Sequence, residues 1–302
     1  MILPANGKLN DFIFAMGDPV YPAYLINTPE KNVMIEAGLN IFGPSYLTKL
    51  DAILGSYKNL DALYITHPHY DHMGSLPFIS RQIPDLETGG HERFNTLMKK
   101  ESVLSLMNNL SKNACDWLSS PPDVGDNDIS ITESALSRVL KEGDRIEFKD
   151  FSIDVYETPG HTRDHLSFFI SELGLLFPGE ALGNPAGDGR KVKVEFVSSY
   201  TDYMASIEKL AKLNIKTIAM SHLFMYLGED TKIFLEATHT ETIAYMELIS
   251  KYLNEGNGDI QSAVSLMVTH EYEKKGDILM EKEAYIANLM GQVKAIYDLH
   301  ST

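Results

Sequence analysis

Residues 64–77 read YITHPHYDHMGSLP. Three histidines and one aspartate fall between His67 and His72, directly after the apolar run LDALYIT (60–66). That run is aliphatic and aromatic, and it reads as a strand. The cluster therefore opens at the C-terminal end of a strand, where open α/β sheets carry their ligand sites. Imidazole and carboxylate suit zinc, iron or manganese through nitrogen and oxygen. Residues at i, i+2, i+4 and i+5 of a turn diverge, so the four side chains suit two ions. His67 and His69 would serve one, Asp71 and His72 the other. The competing explanation is a chance run of surface histidines, which leaves the density without a cause.

Three other runs end in ligand-type side chains. FSIDVYETPG (151–160) leads into His161, LGLLFPGE (173–180) ends on Glu180, and IKTIAMSH (215–222) ends on His222. One histidine alone is more often a hydrogen-bonded structural residue. Four such strand ends are expected to converge on one edge of the sheet, with Glu180 as the carboxylate bridging two ions. His165 lies four residues after His161 and is expected to orient a ligand or touch substrate.

The surrounding pattern gives the architecture. FIFAM (12–16), AYLINT (23–28) and NVMIEAG (32–38) read as an opening β-meander. YLTKLDAILGSYK (46–58) and DYMASIEKLAKLN (202–214) carry apolar residues at helical spacing. Mixed strands and helices of this kind predict an α/β layered domain. Residues 91–119 read as one or two inserted helices, with Cys115 and Trp117 packing one face. Residues 229–302 read as three helices near 231–254, 259–272 and 281–299, broken at NEGNGD and EKKGD. The expected division is a catalytic domain over 1–228 and a helical C-terminal lid or extension over 229–302.

Composition narrows the function. The formal net charge of the 302 residues is -16, which opposes a nucleic-acid partner. No segment has the roughly 18–20 continuous apolar residues of a membrane helix, so no membrane partner is expected. MILPANGKLNDF lacks the basic start and apolar core of a signal peptide. Cys115 is the only cysteine, which excludes an internal disulfide and a zinc site built of thiolates. These features lead to the expectation of a cytoplasmic protein. A homodimer is left open.

The order THPHYDHMG, PGHTRDH, FPGEAL, SHL resembles the metallo-β-lactamase-fold superfamily of metal-dependent hydrolases, over roughly residues 10–225. The resemblance implies an α/β four-layer αββα sandwich and two divalent metal ions, Zn or Fe, with Mn also admissible. By position, His67, His69 and His161 match one site. Asp71, His72 and His222 match the other, with Glu180 between them. Glu36, in IEAG, stands where the family usually has an Asp that braces the site. Both acids depart from the family's usual Asp by one methylene. A looser likeness over nearly the whole chain is to the quinolone-signal response thioesterase branch, which has lid-like helices and two irons. The implied activity is dinuclear hydrolysis by a metal-bridging hydroxide, with Asp71 binding metal and handling the water's proton. The expected substrate is a small-molecule thioester or related ester, since a thiolate leaves without a general acid. A lactonase or phosphodiester hydrolase with the same centre, and a regulatory binding protein with little catalysis, are the alternatives.

Overall fold

Two successive strand pairings in the first 90 residues are parallel. Val33–Ile35 runs beside Ala62–Tyr64, and Ala62–Tyr64 runs beside Glu87–Gly89. A parallel pair cannot be closed by a tight turn, so each needs a crossover. The helices Gly43–Leu54 and Leu76–Gln82 supply them. The computed structural model describes residues 1–275, Ile278 and 282–301. The Gly276–Asp277 break and the start of the last predicted helix at Glu281 lie outside the described residues.

The strands form two seven-stranded sheets and a small hairpin. The first sheet begins with Gly7–Lys8, Ile13–Met16, Ala23–Asn27 and Asn32–Ile35 as an antiparallel meander. It continues through Ala62–Tyr64, Glu87–Gly90 and Arg138–Val139 in parallel. The second sheet is ordered Ile2–Pro4, Phe224–Leu227, Thr217–Ala219, Leu175–Phe177, Leu166–Ile170, Ser152–Glu157, Arg145–Glu147. Ile13, Ile26, Val33, Ile35 and Tyr64 of the first sheet share one buried cluster with Ile153, Val155, Phe168, Ile170 and Phe177 of the second. The other face of the first sheet buries Leu25, Met34 and Leu63 with Leu47, Leu50, Phe78, Ile79 and Met107 from the helices.

The chain divides into two compact units. One holds Met1–Glu157, Asp164–Gly179 and Asn214–Thr231, and so contains both large sheets. The other holds Thr158–Arg163, Glu180–Leu213 and Lys232–Thr302. Within it lie the hairpin Asn184–Ala186 and Lys191–Lys193, the helix Tyr200–Ala211 and the C-terminal helices.

Some expectations need correction. The four ligand-bearing strand ends do not share one sheet: Ala62–Tyr64 belongs to the first, and the strands before His161, Glu180 and His222 belong to the second. Leu166–Ile170 is a strand the sequence did not signal, because all five residues are buried and no alternation marks them. The helix expected over 259–272 is α-helical only from Ile260 to Met267 and continues as a π-helix over Val268–Lys274. The insert forms the helices Phe94–Leu97 and Glu101–Asp116. Cys115 packs against the core there, but Trp117, just past the helix end, is 58% exposed.

Gly74 of the motif answers to a packing constraint. Its N–H donates to Gly38 O at 2.8 Å. A Cβ there would lie 2.4 Å from Tyr70 O and 2.6 Å from Asn40 N, both backbone atoms. Gly74→Ala is expected to lower the urea-unfolding free energy by about 1–3 kcal/mol through overpacking. Burial, followed by the nearby Asp116 charge, pushes the Cys115 thiol up to about 11. Iodoacetamide is therefore expected to label Cys115 slowly near neutral pH, with the rate climbing as pH approaches about 11.

Candidate metal centre

Glu36 follows the Asn32–Ile35 strand and is buried. Its φ of 67° is left-handed, which is uncommon for a side chain with a Cβ. That turn brings its carboxylate to the end of the neighbouring strand, while its N–H still extends the ladder to Tyr64 O at 2.9 Å. Oε1 accepts from Thr66 Oγ1 at 2.6 Å, from His72 Nδ1 at 3.1 Å and from Ser221 Oγ at 3.1 Å. Oε2 accepts from Thr66 N–H at 3.3 Å. Hydrogen bonds to a charged group are worth about 1.5–3 kcal/mol each, enough together to offset burial of the carboxylate.

These bonds set the imidazole tautomers. The Thr66 hydroxyl has one proton and directs it to Glu36, so it accepts at its 2.9 Å contact with His67 Nδ1. His72 Nδ1 faces the Glu36 carboxylate, and His222 Nδ1 faces Val20 O at 2.5 Å. Each acceptor requires a proton on Nδ1. In the neutral ring, Nε2 then carries the lone pair. Metal-bound histidines are held in this way, with the far ring nitrogen bonded to protein.

The Nε2 atoms of His72 and His222 lie 3.8 and 3.9 Å from Asp71 Oδ2. The ligand atoms of Asp71, His72 and His222 all fall within 4.8 Å of one another, a group able to hold an ion. Asp71 and His72 sit on the single-turn helix Tyr70–Met73, with His69 at its N-cap. His222 comes from the second sheet, and the loop before Ala23–Asn27 holds it: Val20 O takes its Nδ1–H, and Tyr21 meets its ring edge-on at 5.7 Å. The His67 ring centroid is 4.5 Å from that of His69 and 5.0 Å from that of His165. His165 is buried, and a Cβ on Gly179 would lie 2.4 Å from its Nε2, so glycine makes room for the ring.

In the second unit, His161 and Glu180 form a buried pair with Nε2 and Oε2 2.6 Å apart. His161 Nδ1 donates to Glu195 O at 2.6 Å. Asn184 Nδ2 donates to Glu180 Oε1, leaving Oε2 as the oxygen presented beside His161. Burial opposes a charge on His161, but Glu180 and then Glu195 outweigh it and hold the imidazole pKa above its ordinary value. A cation at this pair displaces that proton, so binding there weakens as pH falls through the raised pKa.

The sequence did not point to Thr66, Ser221, Asn184 or the carbonyls of Val20 and Glu195. Thr66 and Ser221 each directly precede a candidate histidine, in THPH and SH, and that repeated hydroxyl is a signal of sorts. Backbone carbonyls leave none.

Residues 17–222 match the metallo-beta-lactamase superfamily, and the chain belongs to that superfamily. A hydroxyacylglutathione hydrolase of Thermosynechococcus vestitus is 22% identical over 267 residues, covering 88% of this chain and 84% of its own. An atrochrysone carboxyl ACP thioesterase of Aspergillus fumigatus is 22% identical, over 83% of this chain and 52% of its own. A beta-lactamase-like protein 2 homolog of Caenorhabditis elegans is 25% identical over 201 residues; the chain spans 54% of that relative's length. A metallo-beta-lactamase family protein from Thermus thermophilus superposes with a TM-score of 0.66 at 15% identity, covering 96% of this chain and 93% of that one. The fold is thus the α/β metallo-β-lactamase fold expected from the motif order.

Glu36→Gln can keep a carbonyl oxygen toward Thr66 Oγ1, His72 and Ser221, but its N–H₂ then faces the Thr66 N–H donor and the carboxylate charge is lost. Zinc affinity, measured by competition with a chromophoric chelator, is expected to fall about 10–100-fold.

Proposed function

We propose that the chain is a dinuclear metal-dependent hydrolase acting on an acyl thioester or related ester of a small molecule. The observation that carries this is that Nδ1 of His67, His72 and His222 is held by protein acceptors, which in the neutral ring gives Nε2 the lone pair a cation needs. In this reading Asp71, His72 and His222 take one divalent ion, and the motif order assigns His67, His69 and His161, with Glu180, to another. Zinc, iron and manganese all suit imidazole and carboxylate. Bound, such ions supply a nucleophile from water at neutral pH and polarise the scissile carbonyl.

The chain's own residues supply the rest. Asp71 is the half-buried carboxylate between two imidazoles, suited to bind an ion and to hold a water's proton. Glu36, Thr66 and Ser221 keep His67 and His72 oriented. His165, beside His67, is assigned to ligand orientation or substrate contact. The thioester preference rests on two supports. A thiolate needs no protonation to leave, and two relatives carry the names hydroxyacylglutathione hydrolase and ACP thioesterase.

The test is elemental analysis, followed by hydrolysis of a panel with each metal restored: acyl thioester, aryl ester, lactone and bis-aryl phosphate. Thioester turnover should lead the panel, and preference for lactone or phosphodiester would replace the substrate class. Asp71→Asn is expected to lower kcat/KM by about 10²–10⁴-fold. His69→Ala should lose metal as well as turnover. Full activity in both variants would remove the metal mechanism.

A further inference from the structure

Within the second unit, the last helix reaches back to the segment that fixes His161. Asn288, Gly291 and Gln292 lie on one face of Lys282–Ser301, at i, i+3 and i+4. Gln292 is buried and donates from Nε2 to Val194 O at 2.9 Å. Its Oε1 accepts from Tyr245 OH at 3.0 Å. Val194 O can only accept, so the amide orientation follows from its partners. Asn288 Nδ2 lies 3.4 Å from Glu195 Oε2. Lys193 Nζ reaches Glu195 Oε1 at 2.6 Å. A Cβ on Gly291 would lie 2.6 Å from Val197 Cγ1 and 2.8 Å from Val197 O, so helix and segment touch backbone to backbone.

The same segment grips the ligand turn. Glu195 O accepts the His161 Nδ1 proton at 2.6 Å. Val197 N–H donates to Gly160 O at 3.2 Å, and Ser198 N–H to Gly160 O and His161 O at 3.0 and 3.1 Å. An apolar residue in place of Gln292 would fill the same space. What the amide adds is a fixed position for the 194–195 peptide, one bond removed from the imidazole.

From this geometry we infer that the C-terminal helix is a brace for His161, with Gln292 as a positioning residue for the ion that His161 binds. The inference rests on the metal reading above and extends it to an element 127 residues further along the chain, from His161 to Asn288. It assigns the helical extension a duty other than covering the substrate or joining copies.

The experiment titrates the metal-free full-length chain with zinc against a chromophoric chelator near neutral pH. The wild type is expected to bind two ions. Gln292→Met should weaken one of them about 10–100-fold and leave the other, held by Asp71, His72 and His222, unchanged. Tyr245→Phe, which only frees the amide's acceptor end, should weaken the same ion less. The double variant should be no weaker than Gln292→Met, because the two act in series. Tyr252→Phe is the structural control: it removes a 2.7 Å bond to Glu271 in the same helical region and should lower the melting temperature without moving zinc affinity. Should Gln292→Met not fold, Tyr245→Phe against Tyr252→Phe decides. Wild-type zinc binding in Gln292→Met, or equal weakening in Tyr252→Phe, overturns the brace and leaves the metal reading standing. A wild type that binds no zinc overturns both.

Discussion

A single buried carboxylate organises the N-terminal half of the candidate centre. Glu36 collects Thr66, His72 and Ser221 onto its two oxygens, and so ties together three places in the chain. Satisfying an ionised group away from water needs several donors in good geometry. The donors are thereby held too. A left-handed residue at 36 is the conformational cost of aiming the carboxylate this way, and such costs persist where surrounding structure over-determines them.

The second lock follows the same logic with different chemistry. His161 is held by a backbone carbonyl and Glu180 by an amide side chain, both from within the second unit. In both units the protein engages Nδ1 of the candidate histidines. The consequence is functional: a ring that cannot rotate or exchange tautomers presents its lone pair without reorganisation, which is how outer partners raise metal affinity. Asn184 engages one oxygen of Glu180 and leaves the other toward His161.

Much of this was legible in the chain. HPHYDH marks its own chemistry by density, and the strand-then-ligand pattern at His161, Glu180 and His222 needed only apolar runs and their ends. The opening meander was readable because its strands are short, apolar and closed by polar turns. Leu166–Ile170 was not, because a strand buried on both faces has no alternation to read. The π-helical continuation after Met267 was equally silent, since its composition is that of an ordinary helix.

The amino-acid sequence by itself determined which residues are candidate donors, the α/β class and the exclusion of a site built of thiolates, because these depend on residue type and short-range period. Tertiary structure alone decided that the strands before the candidate ligands divide between two sheets, that Thr66, His72 and Ser221 are the partners of Glu36, and that Gln292 holds the carbonyl one residue before the one His161 bonds. Those facts are contacts between residues tens to hundreds of positions apart, made by backbone carbonyls, a left-handed turn and a glycine without a Cβ. Local pattern carries no record of such partners. They exist only once the chain has closed on itself.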